Sequence, residues 1–451
     1  MSVGRMRLLH AIHDFLPRHR AGSEIYACDL ARELSARHDV FVLAAEYDAS
    51  TPHGTLRWRA HEGLTVVEIV NNWDFRSLAE SYGSTRLNAQ LRHVLDAVRP
   101  DVLHVHNLLN LTFDLPRLAR ERGAPSVATL HDYTLVCPSG GQRVHVEDEH
   151  VCTEIDPERC SRCFEQSAFY RQMAVAGLGR GRIGRLGRAL HDRLPGLARA
   201  IAVRVPGPPV TSGEISRRLA RARNVFDEID WFVAPSDALA REYVRLGLGP
   251  ERLEVSDYGF APARPQRTPR GGPLRIGFAG TLVWHKGAHV LLDAARRLTG
   301  SFELRVYGDD NVFPHYSQRL RQMAAGLPIR FAGGFDRDEL PRVFGGLDVL
   351  VVPSLWPENS PLVIHEAFTH GLAVVAARTG GIPGLVRDEV NGLLYDPFSP
   401  AGLSAALQRL IDDRHLPGRL AAAAPAVKTI EQDACEWEGR YGRLLQAQMH
   451  A

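Results

Sequence analysis

The stretch LDVLVVPSLWPENSPLVIHEAFTHG, residues 347–371, is the clearest indication of the fold class of this chain. A continuous β-branched run, typical of a strand buried on both faces, leads directly into a helical pattern. Ser360 is a favourable N-cap, Pro361 suits the first helical position and Gly371 predicts the end of the helix. A strand followed at once by a helix is the building unit of a parallel α/β sheet, and such sheets bind ligands at their carboxyl edge.

Two carboxylates bracket the start of this predicted helix. Glu358 lies in the loop before it, and Glu366 lies within it. The unpaired N–H groups of residues 360–363 would attract a phosphate, and a carboxylate such as Glu366 can accept two hydrogen bonds from a ribose diol. One acid could therefore hold a sugar and the other a ribose. From spacing alone, a solvated loop acid and an exposed helix acid explain the pair equally well.

The whole chain has the composition of a globular protein. It has 451 residues, of which 45% are hydrophobic and 24% charged, enough for two or three domains. Short β-branched runs alternate with amphipathic helical patterns on both sides of residues 261–273, which are rich in Pro, Arg and Gly. We predict an α/β protein with largely parallel sheets: one doubly wound domain at 1–265, a second at 270–425, and a helix at 426–451 that packs back on the first domain.

Charge and the amino terminus exclude several functional classes. The balance of 54 basic against 52 acidic residues, a net charge of +2, argues against a nucleic-acid partner. His10, His13 and Asp14 interrupt the apolar region that a signal peptide needs, and no apolar run approaches the roughly 18 residues of a membrane span. We expect a cytoplasmic protein that could bind peripherally to the inner face of the membrane.

An insertion with clustered cysteines interrupts the strand rhythm at about 137–210. Its spacing is C-x14-C-x7-C-x2-C, in which the last pair is usual for zinc and four thiolates complete a tetrahedron. We predict structural zinc; reduced thiols without a metal and an iron–sulfur cluster are the alternatives, and His145 and His150 are substitute ligands. The predicted ligands are Cys137, Cys152, Cys160 and Cys163.

Arginines dominate the rest of the insertion. Eight of them stand between 171 and 204 against the single acid Asp192, which suits either an anionic membrane surface bearing a lipid-linked acceptor or a solvated face. GRGRIG, residues 179–184, fits a dinucleotide fingerprint but lacks the preceding strand. The DRD at 336–338 imitates the metal-binding D-x-D motif, but we expect it to cap a helix that begins near Glu339.

A second segment that would attract phosphate is GFAGTLVWHKGAHVLLDAARRL, residues 277–298. It combines a strand, a glycine turn and Lys286 just before a helix. Lys286 could neutralise a diphosphate as negative charge grows on bond cleavage. The alternative is a lysine that ends a surface loop.

These segments resemble a known family. Residues 280–298, residues 347–386 and DEVNGLLYDP at 388–397 look like the nucleotide-sugar domain of the family-four retaining glycosyltransferases, and residues 21–46 and 100–107 extend the likeness over most of the chain. The most specific part is the acid pair E-x7-E. The resemblance implies the GT-B fold, in which two Rossmann-like domains face each other across a cleft. It also implies transfer of a sugar from a UDP or GDP donor to a glycan or lipid-linked acceptor in polysaccharide or glycolipid biosynthesis, with no cofactor for catalysis.

The resemblance also implies a role for each matching residue. Glu366 would bind the donor ribose, Glu358 the hydroxyls of the transferred sugar and Lys286 the diphosphate. His131, in ATLHDY, would lie beside the sugar and would act in catalysis together with Glu358. Gly22 would let the amino-terminal domain approach the donor. Further donor contacts fall to Asn359, Ser360, Pro361 and Leu362.

One position departs from the family pattern. Many relatives carry an arginine five residues before this lysine, and here the residue is Thr281. The resemblance therefore leaves two expectations, either that Lys286 acts together with His285 and backbone donors or that the donor is held differently. A nucleotide-sugar epimerase of similar fold and a non-catalytic nucleotide-sugar-binding scaffold are the alternative functions.

Overall fold

The computed structural model describes residues 4–145, 148–178, 207–262 and 271–449. They form two lobes, each built on a parallel sheet covered by helices. The predicted α/β class with two Rossmann-like units is confirmed.

The amino-terminal lobe has an eight-stranded sheet in the order β10-β9-β6-β5-β1-β2-β4-β3. Every neighbouring pair is parallel except β3 with β4, so only the edge strand runs against the others. Its strands are β1 (Arg7–Ile12), β2 (Asp39–Glu46), β3 (Leu56–His61), β4 (Leu64–Val70), β5 (Val102–Val105), β6 (Ser126–Thr129), β9 (Trp231–Ala234) and β10 (Leu253–Val255).

Helices cover both faces of this sheet, and the buried side chains of the sheet form a separate core on each face. They are α1 (Gly22–Ser35), α2 (Leu78–Gly83), α3 (Thr85–Val98), α4 (Leu115–Arg120), α7 (Ser212–Glu228) and α8 (Asp237–Arg245).

The insertion adds a small hairpin and two helices to the amino-terminal lobe. They are β7 (Val144–His145), β8 (His150–Val151), α5 (Pro157–Gln166) and α6 (Ala168–Leu178). The fingerprint-like residues 179–184 and all the arginines of the basic stretch except Arg171, on which the membrane-surface prediction depends, lie outside the described residues.

The carboxy-terminal lobe has a six-stranded, all-parallel sheet in the order β13-β12-β11-β14-β15-β16. Its strands are β11 (Leu274–Ala279), β12 (Phe302–Tyr307), β13 (Ile329–Gly333), β14 (Val349–Val352), β15 (Ala373–Ala377) and β16 (Gly392–Tyr395). Its helices are α9 (Ala288–Ala295), α10 (Pro314–Met323), α11 (Leu340–Gly345), α12 (Leu362–Thr369), α13 (Ile382–Leu385), α14 (Pro400–Asp412) and α15 (Leu416–Ala422).

The last helix, α16 (Ile430–Met449), returns to the amino-terminal lobe. Trp437 and Tyr441 are buried in the core that β1 and α1 form. The hydroxyl of Tyr26 on α1 donates to Asp433 Oδ2 at 2.8 Å. Within the described ranges, no helix combines the length and the apolar character needed to cross a bilayer.

Candidate functional site

A cleft of about 1010 Å³ lies between the two lobes. Loops after the carboxyl ends of β1 and β6 line one side of it, and loops after β11, β13 and β14 line the other. All nine residues that the sequence assigned to the donor and to catalysis lie on its walls. They are Gly22, His131, Lys286, Glu358, Asn359, Ser360, Pro361, Leu362 and Glu366.

Glu358 and Lys286 form an ion pair in this cleft. Lys286 Nζ lies 2.7 Å from Glu358 Oε1, and Ser354 Oγ also donates to that oxygen. Only 5% of Glu358 is exposed. Burial alone would raise the pKa of this carboxyl, but the Lys286 ammonium and the hydrogen bonds lower it below its usual range. Glu358 is therefore ionised and acts only as a hydrogen-bond acceptor, which suits contact with sugar hydroxyls.

Glu366 lies half-buried on α12 and faces the same cleft. Burial raises the pKa of its carboxyl, and the nearby Arg337 guanidinium only partly opposes this effect. The ionised form can accept both hydroxyls of a diol. The two acids of the E-x7-E pair therefore have opposite pKa shifts within one site.

The helix that separates the two acids begins later than the sequence predicted. Its N-cap is Pro361 and its first residue is Leu362, so the prediction of Ser360 as N-cap is wrong. The Ser360 hydroxyl instead donates to Asp257 Oδ1 at 2.7 Å. Pro361 has no N–H, so the amides of Ser360, Leu362 and Val363 remain to attract a phosphate.

Gly22 is a point of close approach between the lobes. A Cβ added there would lie 3.0 Å from Cδ1 of Leu362, at the start of α12. Leu362 itself packs against the core beneath α1. The absence of a side chain at Gly22 therefore lets the amino-terminal lobe meet the helix that carries Glu366.

His131 lies in the cleft but both of its ring nitrogens have partners within the protein. Nε2 is 3.0 Å from His106 Nδ1, and Nδ1 is 2.9 Å from the Tyr258 hydroxyl. Burial lowers the pKa of His131 to about 3, so the ring is neutral. Its backbone carbonyl accepts a hydrogen bond from the side chain of Asn359, which joins the lobes across the cleft.

Two family models match this chain on either side of the cleft. Residues 20–150 match the model described as Glycosyltransferase Family 4, and residues 261–427 match that of Glycosyl transferases group 1. The chain belongs to glycosyltransferase family 4. The resemblance stated from the E-x7-E pair and the flanking segments is confirmed.

Curated relatives of this family member include enzymes with different names. The D-inositol 3-phosphate glycosyltransferase of Corynebacterium kroppenstedtii is 31% identical over 222 residues, which cover 44% of this chain and 49% of the relative. The glycogen synthase of Mycobacterium tuberculosis is 30% identical over 236 residues, covering 49% and 56%. The chain thus spans about half the length of the curated relatives it matches.

Solved structures share the fold of this family 4 protein. HepE of Anabaena in complex with UDP superposes with a TM-score of 0.63 at 16% identity, over 98% of this chain and all of that one. Sucrose-phosphate synthase of Thermosynechococcus elongatus gives a TM-score of 0.67 at 16% identity with the same coverage. The fold is GT-B, as the resemblance implied.

The amino-terminal wall of the cleft carries a second histidine that sequence reasoning did not assign to the site. His13 Nε2 lies 3.1 Å from Glu24 Oε1, and Asp14 is close to both. Burial disfavours the charged ring, but Glu24 outweighs it and raises the pKa of His13 to about 9. His13 is therefore a cation at neutral pH. Its partner, Glu24, belongs to the following helix, so no local sequence motif predicts the pair.

His285 does not support Lys286 in the way the sequence suggested. Its side chain is buried away from the cleft walls, and burial together with the adjacent Lys286 lowers the pKa of His285 to about 4. A neutral buried ring adds no positive charge, so this expectation is wrong. Thr281 does line the cleft, and so does Arg337, whose guanidinium lies 2.6 Å from Asp29 of the opposite lobe.

The DRD segment caps a helix, as predicted. Asp336 forms a capping box with Glu339 ahead of a short 3₁₀ turn that continues into α11. Its carboxylate also pairs with Arg20 of the opposite lobe. Asp336 and Glu339 therefore both have structural partners.

The four cysteines gather outside the cleft, within the insertion. Cys160 and Cys163 lie on α5, Cys152 follows β8 and Cys137 lies in the loop after β6. Burial and the neighbouring thiols raise the pKa of Cys152 to about 11 and that of Cys160 to about 12. Among the described residues, these sulfurs do not form a group of three within 4.8 Å of one another, so a bound metal would have to draw them together.

Proposed function

We propose that the protein transfers a sugar from a UDP- or GDP-sugar to an acceptor with retention of configuration. The observation that carries this proposal is the cleft arrangement of Glu358, ionised and paired with Lys286, opposite the half-buried Glu366. Between the two acids lie the unpaired amides at the start of α12. This set offers acceptors for two groups of hydroxyls and positive potential for the phosphates between them.

Bond cleavage would place negative charge on the departing nucleoside diphosphate. Lys286 and the positive end of α12 face the region where that charge develops, and their interaction with it strengthens in an oxocarbenium-like transition state. The leaving phosphate can then accept the proton of the acceptor hydroxyl. Contacts that join the lobes, such as Asn359 with the carbonyl of His131, hold the cleft closed and limit entry of water.

The acceptor class is proposed more broadly, as a glycan or a lipid-linked saccharide in polysaccharide or glycolipid biosynthesis. Support comes from relatives that are named for extending glycogen or for glycosylating inositol 3-phosphate. Acceptor contacts fall to the amino-terminal lobe, where Glu24 on α1 and Asp132 in the loop after β6 line the cleft. Carboxylates in that position suit acceptor hydroxyls.

A thermal-shift panel of UDP- and GDP-sugars followed by a transfer assay tests this proposal. The true donor should raise the melting temperature by mass action, and NMR of the product should show the anomeric configuration of the donor. Glu358→Gln should abolish transfer. Asp348→Asn is the matched control, because Asp348 is also paired with a cation, Arg275, in the same lobe but outside the cleft.

The alternatives give different results in the same experiment. An epimerase would convert the nucleotide sugar without any acceptor. A scaffold would bind the donor and keep its biological role after Glu358→Gln and His131→Ala. Inversion at the anomeric carbon would contradict the retaining mechanism.

A further inference from the structure

A row of buried histidine rings crosses the carboxyl edge of the amino-terminal sheet. His10 on β1 lies beside His104 on β5 in the strand register, His106 follows β5, and His131 follows β6. His106 stacks against His131 with ring centroids 5.3 Å apart, and against His10 at 5.2 Å. His104 and His106 are therefore buried, and the row leads from the core to the cleft.

Hydrogen bonds join three of these rings, those of His10, His106 and His131. His10 Nδ1 lies 3.0 Å from His106 Nε2, and His106 Nδ1 lies 3.0 Å from His131 Nε2. His131 Nδ1 lies 2.9 Å from the hydroxyl of Tyr258, which lines the cleft. At the opposite end, His10 Nε2 is buried without a hydrogen-bond partner in the described part of the chain.

The unpaired Nε2 of His10 in the core fixes the direction of these hydrogen bonds. Burial lowers the pKa of His10 and His131 to about 3 and also lowers that of His106, so each ring is neutral and carries one N–H. The three rings must then all donate in the same direction. An N–H at His10 Nε2 would be a buried donor without an acceptor, which is costlier than a bare lone pair. Each ring therefore carries its hydrogen on Nδ1.

This direction decides which group can reach a ligand. His131 Nδ1 donates to the hydroxyl oxygen of Tyr258, so the hydroxyl hydrogen of Tyr258 remains available to a ligand in the cleft. Both ring nitrogens of His131 already have partners and are not available. We propose that Tyr258 donates the amino-terminal lobe's hydrogen bond to the transferred sugar, and that His10 and His106 are positioning residues that fix its direction. This inference rests on the proposed nucleotide-sugar donor.

Tyr258→Phe tests the contact by removing only the hydroxyl. Calorimetry would compare the dissociation constants of UDP and UDP-glucose, or of GDP and GDP-mannose, whichever pair stabilises the wild type. The nucleotide sugar should bind about 10-fold more weakly while the bare nucleotide is unaffected, since one hydrogen bond at the sugar end is lost. Tyr441→Phe is the matched control, because Tyr441 is also buried and its hydroxyl lies 2.7 Å from His104 Nδ1, but it does not line the cleft. It should leave the ratio of the two constants unchanged.

His106→Asn tests the positioning role. Breaking the row removes the donor that orients Tyr258, so the affinity ratio should shift as in Tyr258→Phe, and the double variant should show no further shift. A merely structural role would lower the melting temperature and leave the ratio as it is.

Nitrogen-15 NMR of the histidine side chains in the full chain tests the direction independently of any nucleotide. His10, His106 and His131 should be neutral with the hydrogen on Nδ1. Hydrogen on Nε2, or an unchanged ratio in Tyr258→Phe alongside tight donor binding, would overturn this inference alone. If no nucleotide sugar bound the wild type, the proposed function would fail and the Tyr258 contact with it.

Discussion

The ammonium of Lys286 lies 2.7 Å from the carboxylate of Glu358, although the two residues come from loops after different strands, β11 and β14. Neither group is placed there by local sequence. The adjacent parallel strands β11 and β14 bring the loops together at one edge of the sheet. The pair therefore couples the stability of the carboxy-terminal lobe to the proposed donor site.

Replacement of Lys286 should test this coupling. Lys286→Met would leave Glu358 buried without its cation, and we expect a loss of about 3 kcal/mol in the free energy of unfolding together with weaker binding of the nucleotide. Denaturant unfolding measures the first effect and calorimetry the second.

A double variant separates the two effects. Lys286→Met with Glu358→Gln removes the uncompensated charge, so most of the stability should return while transfer stays lost. If Lys286→Met were as stable as the wild type, Lys286 would not be compensating the buried charge of Glu358.

Glu366 should make donor binding depend on pH. Because the pKa of its carboxyl is raised, the ionised form that accepts both ribose hydrogen bonds is lost as the pH falls through that pKa. Donor affinity should fall on the acid side in the wild type. In Glu366→Gln, it should be about 10-fold to 100-fold lower at neutral pH and lose this acid dependence.

A 3′-deoxyribose donor checks that the ribose is the group concerned. Glu366→Gln should weaken its binding much less than that of the full donor, because one of the two hydrogen bonds is already missing. Equal losses for both donors would place Glu366 elsewhere in the site.

Gly22 should control closure of the lobes. A side chain there meets Leu362 at the start of α12, so Gly22→Val should hold the cleft open and raise the radius of gyration in solution scattering. Gly418→Val is the control, since Gly418 lies on α15 with no atom within 4 Å of an added Cβ. A closed Gly22→Val protein would show that this contact is dispensable.

The sequence was informative where one local segment carries both structure and chemistry. The strand before Glu358, the glycine stop at Gly371 and the acid pair itself could all be predicted from residues 347–371. The prediction of Ser360 as N-cap failed, because its hydroxyl donates instead to Asp257, more than a hundred positions earlier in the chain. His13 was not assigned to the site, because only the folded chain places it beside Glu24.

The cysteine cluster calls for metal analysis of the purified full chain. We expect about one zinc ion per chain, lost in Cys152→Ser and in Cys160→Ser, because burial and the neighbouring thiols disfavour each free thiolate and a bound dication would stabilise it. Cys28→Ser is the control outside the cluster. A chain without metal and with a melting temperature insensitive to chelator would contradict this expectation.

Zinc should also affect the contact between the lobes. The insertion reaches the carboxy-terminal lobe through Glu149, which lies 2.7 Å from Arg319 on α10. Val151 packs against both cores. We therefore expect metal loss to lower stability more than Glu149→Gln does, since that substitution removes only an exposed ion pair.

A crystal structure with a non-transferable analogue of the preferred nucleotide sugar would show the donor contacts themselves. We expect the ligand in the cleft between the lobes, with the ribose hydroxyls on Glu366, the sugar hydroxyls on Glu358 and the diphosphate between Lys286 and the start of α12. A ligand bound elsewhere, or held in the cleft with both carboxylates out of hydrogen-bond reach, would contradict this expectation.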